Sequence, residues 1–381
     1  MTQALRLGRL EWEADWEMTT GKRLEVTIQA VMEALGAAAG LKTAGADGVV
    51  AEMWRGSSML TKIRLAQAFR EHFQHGRQRR PDSWSLLVLR LLEKEAGAVY
   101  LSQYRRVALS SVLCKWFLRT VVVLLRRWQR QQEPPRLLNT WGYCKGRTVS
   151  SILFSVRDAL FLARRWGRPL YVLQGGVLEF FVNLDHDLIL QALEAMDTPK
   201  QSQAAIAREY FDLEGVASIK DAKPTEIFPV SKACRTGGVE TPLLSLDVLE
   251  ALLGGPLEKC KQNGLGFRFS NVADESELLF NHLVWADNLY FFVSTFEHAQ
   301  FIAQLVTECL GRAGLRWTRK SLQMVVAMGT EDEGEELTVQ CDAQGSMVFN
   351  RLEATPSLGE MVDREGTTEP TIDDQLRKGL W

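Results

Sequence analysis

One carboxylate in a setting suited to metal-dependent phosphoryl transfer stands in VWADNLYFF, residues 284–292. The short apolar runs on either side predict a strand, a tight turn and a second strand, with Asp287 at the tip and the amide Asn288 directly after it. Nucleotidyl transfer by the two-metal route needs carboxylates from neighbouring strands around ions about 3.5–4 Å apart. The pattern to look for is an acid ending one strand, beside an acid or an acid pair on a hairpin tip. The tip is present here, and an amide takes the place of its second acid.

The elements that must position these residues follow from periodicity. GKRLEVTIQAVMEALGAAAG starts as an amphipathic helix and ends in a glycine-rich turn, and residues 54–80 and 109–132 also read as helices. EPPRLLNTWGYCKGRT is a Pro/Gly loop, and VSSILFSVRDALFLARRWGRP is a helix closed by Gly167 and Pro169. The period then changes. LYVLQGGVLEFFVNL predicts a short strand entering a turn, DHDLILQALEAM a helix with acids in its first turn, and TFEHAQFIAQLVTECLGRAG a helix from a Thr cap to glycine. A helix-rich first half followed by strand-helix-strand-strand-helix predicts an α+β fold, a helical module packed on a small sheet with helices on one face.

Composition narrows the function classes. The chain has 381 residues, 46% of them hydrophobic, enough for two or three packed subdomains. No apolar run approaches 18 residues, since VVVLLRRWQRQQ turns to charge after five, so no membrane span is expected. The N-terminal MTQALRLGRLEWEADWEM lacks an apolar stretch with a cleavage site, which predicts an intracellular protein. The six cysteines show neither CxxC nor zinc spacing and read as buried reduced thiols. The formal net charge of −2 hides an asymmetry: residues 55–168 hold 23 Lys/Arg against 6 Asp/Glu, a net +17, which could attract a polyanion or simply keep helix faces wet. From residue 331 on there are 13 acids against 4 bases, and TEDEGEE is expected to form an exposed loop.

Six segments, in order, resemble the reverse transcriptase domain of non-LTR (LINE-type) retroelements over about residues 40–380. AGADGVVAEMW is similar to a first motif with core G-x-D-G, matched by Gly45, Asp47 and Gly48. PDSWSLLVLRLLEKEAGAVYLSQYRRVALSSVLCKW resembles the fingers segment at Trp84, Lys94, Tyr104, Arg105 and Lys115, with Arg106 where the family has proline. GYCKGRT resembles the G-F-x-K-G-R turn. CRTGGVETPLLSLDVLEALL resembles the R-Q-G-x-x-x-S-P-x-L motif, keeping Arg235, Gly237, Gly238, Pro242 and Leu244, with Thr236 for Gln and Thr241 for Ser. GLRWTRKSLQMV resembles the following motif through Lys320, and SLGEMVDREGTTEPTIDDQLRKGL resembles the palm-to-thumb segment.

The resemblance implies a right-hand polymerase fold with helical fingers and a ferredoxin-like palm, a small antiparallel sheet with helices on one face, and the thumb largely missing. It implies an N-terminal helical extension over 1–40, a basic fingers-like region over 41–168, a palm-like core over 169–330, and an acidic loop with the start of the palm-to-thumb segment over 331–381. It further implies Mg²⁺ or Mn²⁺ as cofactor, and an RNA template, a DNA primer and deoxynucleotides as partners.

The departures fall at the chemistry. The family strand reads roughly D-x-x-x-A-F-D, whereas this chain has GVLEFFV, with Gly176 and Val182 at the acid positions. Asn288 replaces the second Asp of the Y-A-D-D hairpin and Trp285 its Tyr, leaving Asp287 alone. Glu179, three residues beyond Gly176, would point to the opposite face of a regular strand. Asp185 and Asp187 are explained by helix capping. Mg²⁺ seeks near-octahedral oxygen coordination, and losing about 4 kcal/mol of transition-state stabilisation costs about a thousandfold in rate. Polymerase activity is therefore expected to be lost or vestigial, and the cofactor doubtful.

By the same resemblance, Phe181 falls where an aromatic would exclude a ribose 2′-OH, and a core aromatic explains it equally. Lys94 and Arg105 could meet a triphosphate, or be ordinary surface cations. Arg235 and the pair Gly237–Gly238 would approach template or nucleotide, or form a plain turn. Lys320 could neutralise a leaving group, or be an exposed helix-end lysine. Two other readings stand beside the degenerate polymerase: a non-catalytic nucleic-acid-binding module using the basic 55–168 region, and a decayed fragment with no selected role.

Overall fold

The computed structural model describes residues 24–37, 40, 43–45, 47–74, 81–94, 96–132, 139–219, 223–269, 279–328, 336–368 and 371. Most of the expected N-terminal extension lies outside the described residues, as do Trp12, Trp16, Trp381, the segment 372–381 and nearly all of TEDEGEE.

In chain order, α1 (Ile28–Gly36) is capped by Thr27, whose hydroxyl accepts the Ala30 N–H at 3.2 Å. It is followed by α2 (Ala51–Arg55), α3 (Met59–Gln74) and the single turn α4 (Asp82–Ser85). β1 (Leu86–Glu93) and β2 (Tyr104–Leu109) come next, then α5 (Val112–Gln129), α6 (Val149–Arg165), β3 (Leu170–Gly176) and the single turn α7 (Phe180–Asn183). α8 (His186–Ala195), α9 (Lys200–Tyr210), β4 (Leu213–Ile219), β5 (Phe228–Val230) and α10 (Thr241–Gln262) lead to the short strands β6 (Phe267–Arg268) and β7 (Leu279–Phe280). After the hairpin of β8 (His282–Trp285) and β9 (Asn288–Val293) come α11 (Phe296–Arg312), β10 (Gln323–Ala327), β11 (Glu336–Cys341), β12 (Gly345–Arg351), β13 (Ala354–Ser357) and β14 (Glu360–Asp363). The fold is mixed, with helices and several sheets, in keeping with the α+β class.

The chain divides into two compact units, one of Met1–Arg136 with Phe181–Val248 and one of Leu137–Phe180 with Leu249–Trp381. The first carries a four-stranded sheet in the order β2-β1-β4-β5, with β1 parallel to β4 and the other pairs antiparallel. This corrects the expectation of purely helical fingers. LLVLRLLE has a run of apolar residues that satisfies either a buried helix or a strand, and pairing with β2 and β4 on its two edges settles it as a strand. Below it, Phe69, Trp84, Trp116 and Phe117 form an aromatic cluster with ring centroids 5.4–6.4 Å apart, in the range where edge-to-face contacts are favourable.

The second unit carries a six-stranded sheet in the order β11-β12-β10-β3-β9-β8. β12 runs parallel to β10 and the remaining neighbours are antiparallel, so the sheet is mixed rather than antiparallel. Helices cover both faces, not one. Ile152, Val156 and Leu160 of α6 pack in one core with Val172, Phe292 and Val325. The adjacent residue Tyr171, on the opposite face by strand alternation, stacks edge-on against Phe296 at the start of α11 at 6.3 Å. The physical reason is visible in β3, every residue of which is buried, so both of its faces need cover. The acidic tail also differs from a simple loop, because β11 and β12 extend this sheet and β13 pairs with β14. β11 alternates exposed and buried residues, so Glu336, Thr338 and Gln340 face outward while Leu337 and Val339 face the core.

Candidate functional site

Two strand ends meet where the sequence points to chemistry. β3 and β9 are antiparallel neighbours, and their register pairs Gly176 with Asn288. The turn between β8 and β9 is the two residues Ala286 and Asp287, with Ala286 in the left-handed region at φ 55°. The backbone continues the pairing one step further, since the Val177 N–H donates to the Asp287 carbonyl at 2.9 Å. Positions 176, 287 and 288 are therefore adjacent at one end of a strand pair.

Two other segments of the second unit close around this end. In the loop after Asn139, the N–H groups of Trp141 and Gly142 both donate to the Val284 carbonyl, at 2.8 and 3.3 Å. A Cβ at Gly142 would lie 2.4 Å from the Ala286 nitrogen, so only glycine lets the GYCKGRT turn reach the hairpin tip. The second segment is a short 3₁₀ turn, Arg319–Ser321. There the Ser321 hydroxyl accepts the Gly176 N–H at 2.8 Å and donates to the Thr318 carbonyl at 2.7 Å. Lys320 is exposed on this turn, next to the residue that holds Gly176.

Burial raises the Asp287 carboxyl above its ordinary value, with its own backbone N–H acting in the opposite direction. Tyr143 is pushed up by burial and by the negative charge of Asp287, which places it in the electrostatic neighbourhood of the acid. Tyr143 and Ser321 were not singled out from sequence, although both lie inside motifs that were: GYCKGRT, and the lysine segment through Lys320.

The donor set does not fit a pair of divalent ions. Gly176 offers no side-chain oxygen, Asn288 offers a neutral amide, and Asp287 is the one carboxylate of the three positions. Hard divalent cations in phosphoryl-transfer sites are held by carboxylates. Among the described residues, no group of three or more His, Cys, Asp and Glu is placed to hold a metal. Glu179 requires a correction: it belongs to the turn after β3 with φ 44°, so strand alternation does not fix its direction. Asp185 behaves as expected, capping α8 by accepting the Asp187 N–H at 3.0 Å.

The remaining predicted residues belong to the first unit. Phe181 and Val182 lie on α7 and are half-buried. Lys94 and Arg105 are exposed near the connection between β1 and β2, where Arg105 pairs with Leu92. Arg235 is the clear departure. It is 2% exposed, its Nη1 donates to Cys114 Sγ at 2.7 Å, its Nη2 donates to the Glu209 carbonyl, and its guanidinium lies over the Tyr210 ring at 5.4 Å. Glu209 is itself buried and bonds His72 at 2.8 Å. A cation so enclosed serves the core rather than a template. Gly237 (φ 94°) and Gly238 make the turn that follows it, and a Cβ at Gly238 would lie 2.7 Å from the Arg235 carbonyl oxygen. Near the first motif, Asp47 accepts the Val49 N–H at 3.2 Å, a local turn bond.

Among the described residues no helix is long and apolar enough to cross a membrane. No family model matches the chain, and no curated protein sequence is similar to it.

Proposed function

We propose that this chain is a reverse-transcriptase-like domain of the non-LTR retroelement type whose polymerase activity has been lost. The observation that carries the reading is the pairing of Gly176 with Asn288 beside Asp287, because it brings two motif segments over 110 residues apart to one strand end. The GYCKGRT turn on the hairpin tip and the Ser321 hydroxyl on Gly176 add two further motif segments to the same place. Their order along the chain matches the order of the family's motifs. On this reading the two strands are the palm, the first unit contributes fingers, and the ancestral partners are an RNA template, a DNA primer and deoxynucleotides.

Chemistry fails for want of charge. With one carboxylate left of the four acid positions 176, 182, 287 and 288, an attacking 3′-hydroxyl is not activated and the leaving pyrophosphate is not neutralised. A loss of about 4 kcal/mol already lowers the rate about a thousandfold. Primer extension on an RNA template, with Mg²⁺ and with Mn²⁺, tests this. The native chain is expected to extend no primer, and the triple variant Gly176→Asp, Val182→Asp, Asn288→Asp to regain measurable extension. Extension by the native chain at the rate of an intact polymerase would overturn the reading.

A second reading, a non-catalytic nucleic-acid-binding module, draws on one surface of the first unit. In the register of β1 with β2, Arg90 and Leu92 face the same side as Arg105, and both arginines are exposed. With Lys94 also exposed nearby, this side of the sheet offers cations to a phosphate backbone.

A further inference from the structure

Two stripes of residues spaced by four line a groove of about 750 Å³ in the second unit, between the C-terminal part of α10 and the first half of α11. Gly255 and Lys259, with Asn263 just past the helix end, form one edge, and Glu297, Phe301 and Leu305 the other. Residues four apart stand one above another on a helix, so each stripe is a continuous edge. Asn263 closes its own stripe, its Nδ2 donating to the Lys259 carbonyl at 2.9 Å. The sequence Gly-Gly-Pro keeps the α10 edge open. Pro256 has no N–H to give the Leu252 carbonyl, and a Cβ built at Gly255 would meet nothing within 4 Å.

This face carries a projection beside a recess, and a charge of each sign on opposite edges. Phe301 is an aromatic residue 56% exposed, and Gly255 leaves open space across from it. Glu297 is exposed at the start of α11, where its carboxylate accepts its own backbone N–H and the Thr295 hydroxyl. Lys259 is exposed on α10. In a two-fold pairing, a contact of residue i with residue j is repeated as j with i. A cation on one edge of a groove and an anion on the other therefore become two equal ion pairs when the face meets a copy of itself, and the projection of each copy meets the recess of the other.

We propose that the face formed by α10 and α11 in the second unit pairs with the same face of a second copy of this chain, Phe301 of each copy seated in the other's groove over Gly255 and Pro256, and Lys259 of each opposite Glu297 of the other. An aromatic side chain buried at the centre of a patch, with charges at its rim, is the usual anatomy of a protein interface. The ring supplies most of the attraction, and the rim charges set the register of the two copies. The inference rests on the second unit alone and survives if the chain proves unrelated to polymerases.

Sedimentation velocity of the full chain over a concentration series tests it. The native chain is expected to pass from monomer to dimer as concentration rises. Phe301→Ser should weaken the dimer at least about tenfold. Gly255→Leu should do the same, because its side chain enters space that is open within one copy and fills the groove needed by the other. Should Gly255→Leu fail to fold, Phe301→Ser, at an exposed position, still decides. Lys259→Glu and Glu297→Lys each set like charges opposite one another twice and should each weaken self-association at least about tenfold. Mixed in equal amounts, those two variants restore both opposite-charge pairs and should form a heterodimer about as tight as the native dimer. A native chain that stays monomeric throughout overturns the proposal, and is the result expected if the groove takes a small apolar molecule or a different protein. A dimer indifferent to Phe301→Ser overturns it, because another surface would then join the copies. A mixture of the charge variants that associates no better than either alone overturns it as well.

Discussion

Gly176 and Asn288 face each other across two antiparallel strands, and a Cβ built on the glycine would lie 3.4 Å from the asparagine Oδ1 and 3.3 Å from Ser321 Oγ. The gap left by the missing side chain is already tight. Gly176→Asp alone should therefore destabilise the protein, by about 1–3 kcal/mol, because it adds a carboxyl beside Asp287 without a counter-charge. Urea unfolding would read this as a lower midpoint at unchanged slope. Addition of Mg²⁺ should recover part of the loss in the triple variant and none in the native chain.

Asp287 predicts a pH dependence. Its pKa in the folded state is raised by burial, so the folded chain holds that proton more tightly than the unfolded chain does. Its contribution is fully favourable below the ordinary carboxylate value of 3.8 and is lost as pH rises through the higher folded value. Asp287→Asn should be more stable than the native chain at neutral pH, with the difference closing in acid. Thermal melts across that range, showing instead a native chain that is the more stable at pH 7, would point to a bound cation or a partner that Asp287 serves.

Gly142 tests how the loop and the hairpin tip are joined. Its missing Cβ would meet backbone at 2.4 Å, which no rotamer change can relieve. Gly142→Ala should cost about 1–3 kcal/mol of stability, seen by chemical denaturation. A neutral effect would mean that the loop does not rest on the tip.

Arg235 separates a structural role from a ligand-binding one. Arg235→Ala leaves Glu209 buried without its cation and should cost about 3–5 kcal/mol, the range for breaking a buried pair. Lys94→Ala, at an exposed position, should change stability by no more than about 0.5 kcal/mol. Equal and small effects in the two variants would contradict the buried assignment of Arg235.

The cationic side of the first sheet predicts salt-dependent association with nucleic acid. Binding measured by anisotropy should weaken as salt rises, and Arg90→Gln and Arg105→Gln should each lower the magnitude of the log–log slope by about one. Affinity indifferent to salt, or to both substitutions, would remove this surface as an interface.

Much of the second unit was legible because its signals are local. VWADN reads as a hairpin, and the structure turns the chain at Ala286 and Asp287. Thr295 caps α11 by accepting the His298 N–H at 3.2 Å, and Gly314 at φ 70° follows the end of that helix, as the Thr-to-Gly pattern indicates. What was not legible depends on partners distant in sequence. β1 could not be told from a buried helix until β2 and β4 supplied its edges. The burial of Arg235 is decided by Glu209 and Cys114, 26 and 121 residues away. The turn at Glu179 takes a left-handed backbone on a residue type that does not advertise one. The strands of the acidic tail show a period of two too short and too polar to stand out before a sheet edge is available to receive them.

On the proposed function, positions 176, 287 and 288 are a metal site that keeps one acid, Asp287, and has lost the others. Mn²⁺ binding by isothermal titration, comparing the native chain with Gly176→Asp, Asn288→Asp, tests it without requiring activity. The account predicts no saturable site in the native chain up to millimolar Mn²⁺, and a site at least about tenfold tighter in the variant, as expected when carboxylates are added to a hard-cation site. A native chain that binds Mn²⁺ as tightly as the variant would contradict it, because the metal would then be held by groups other than these three.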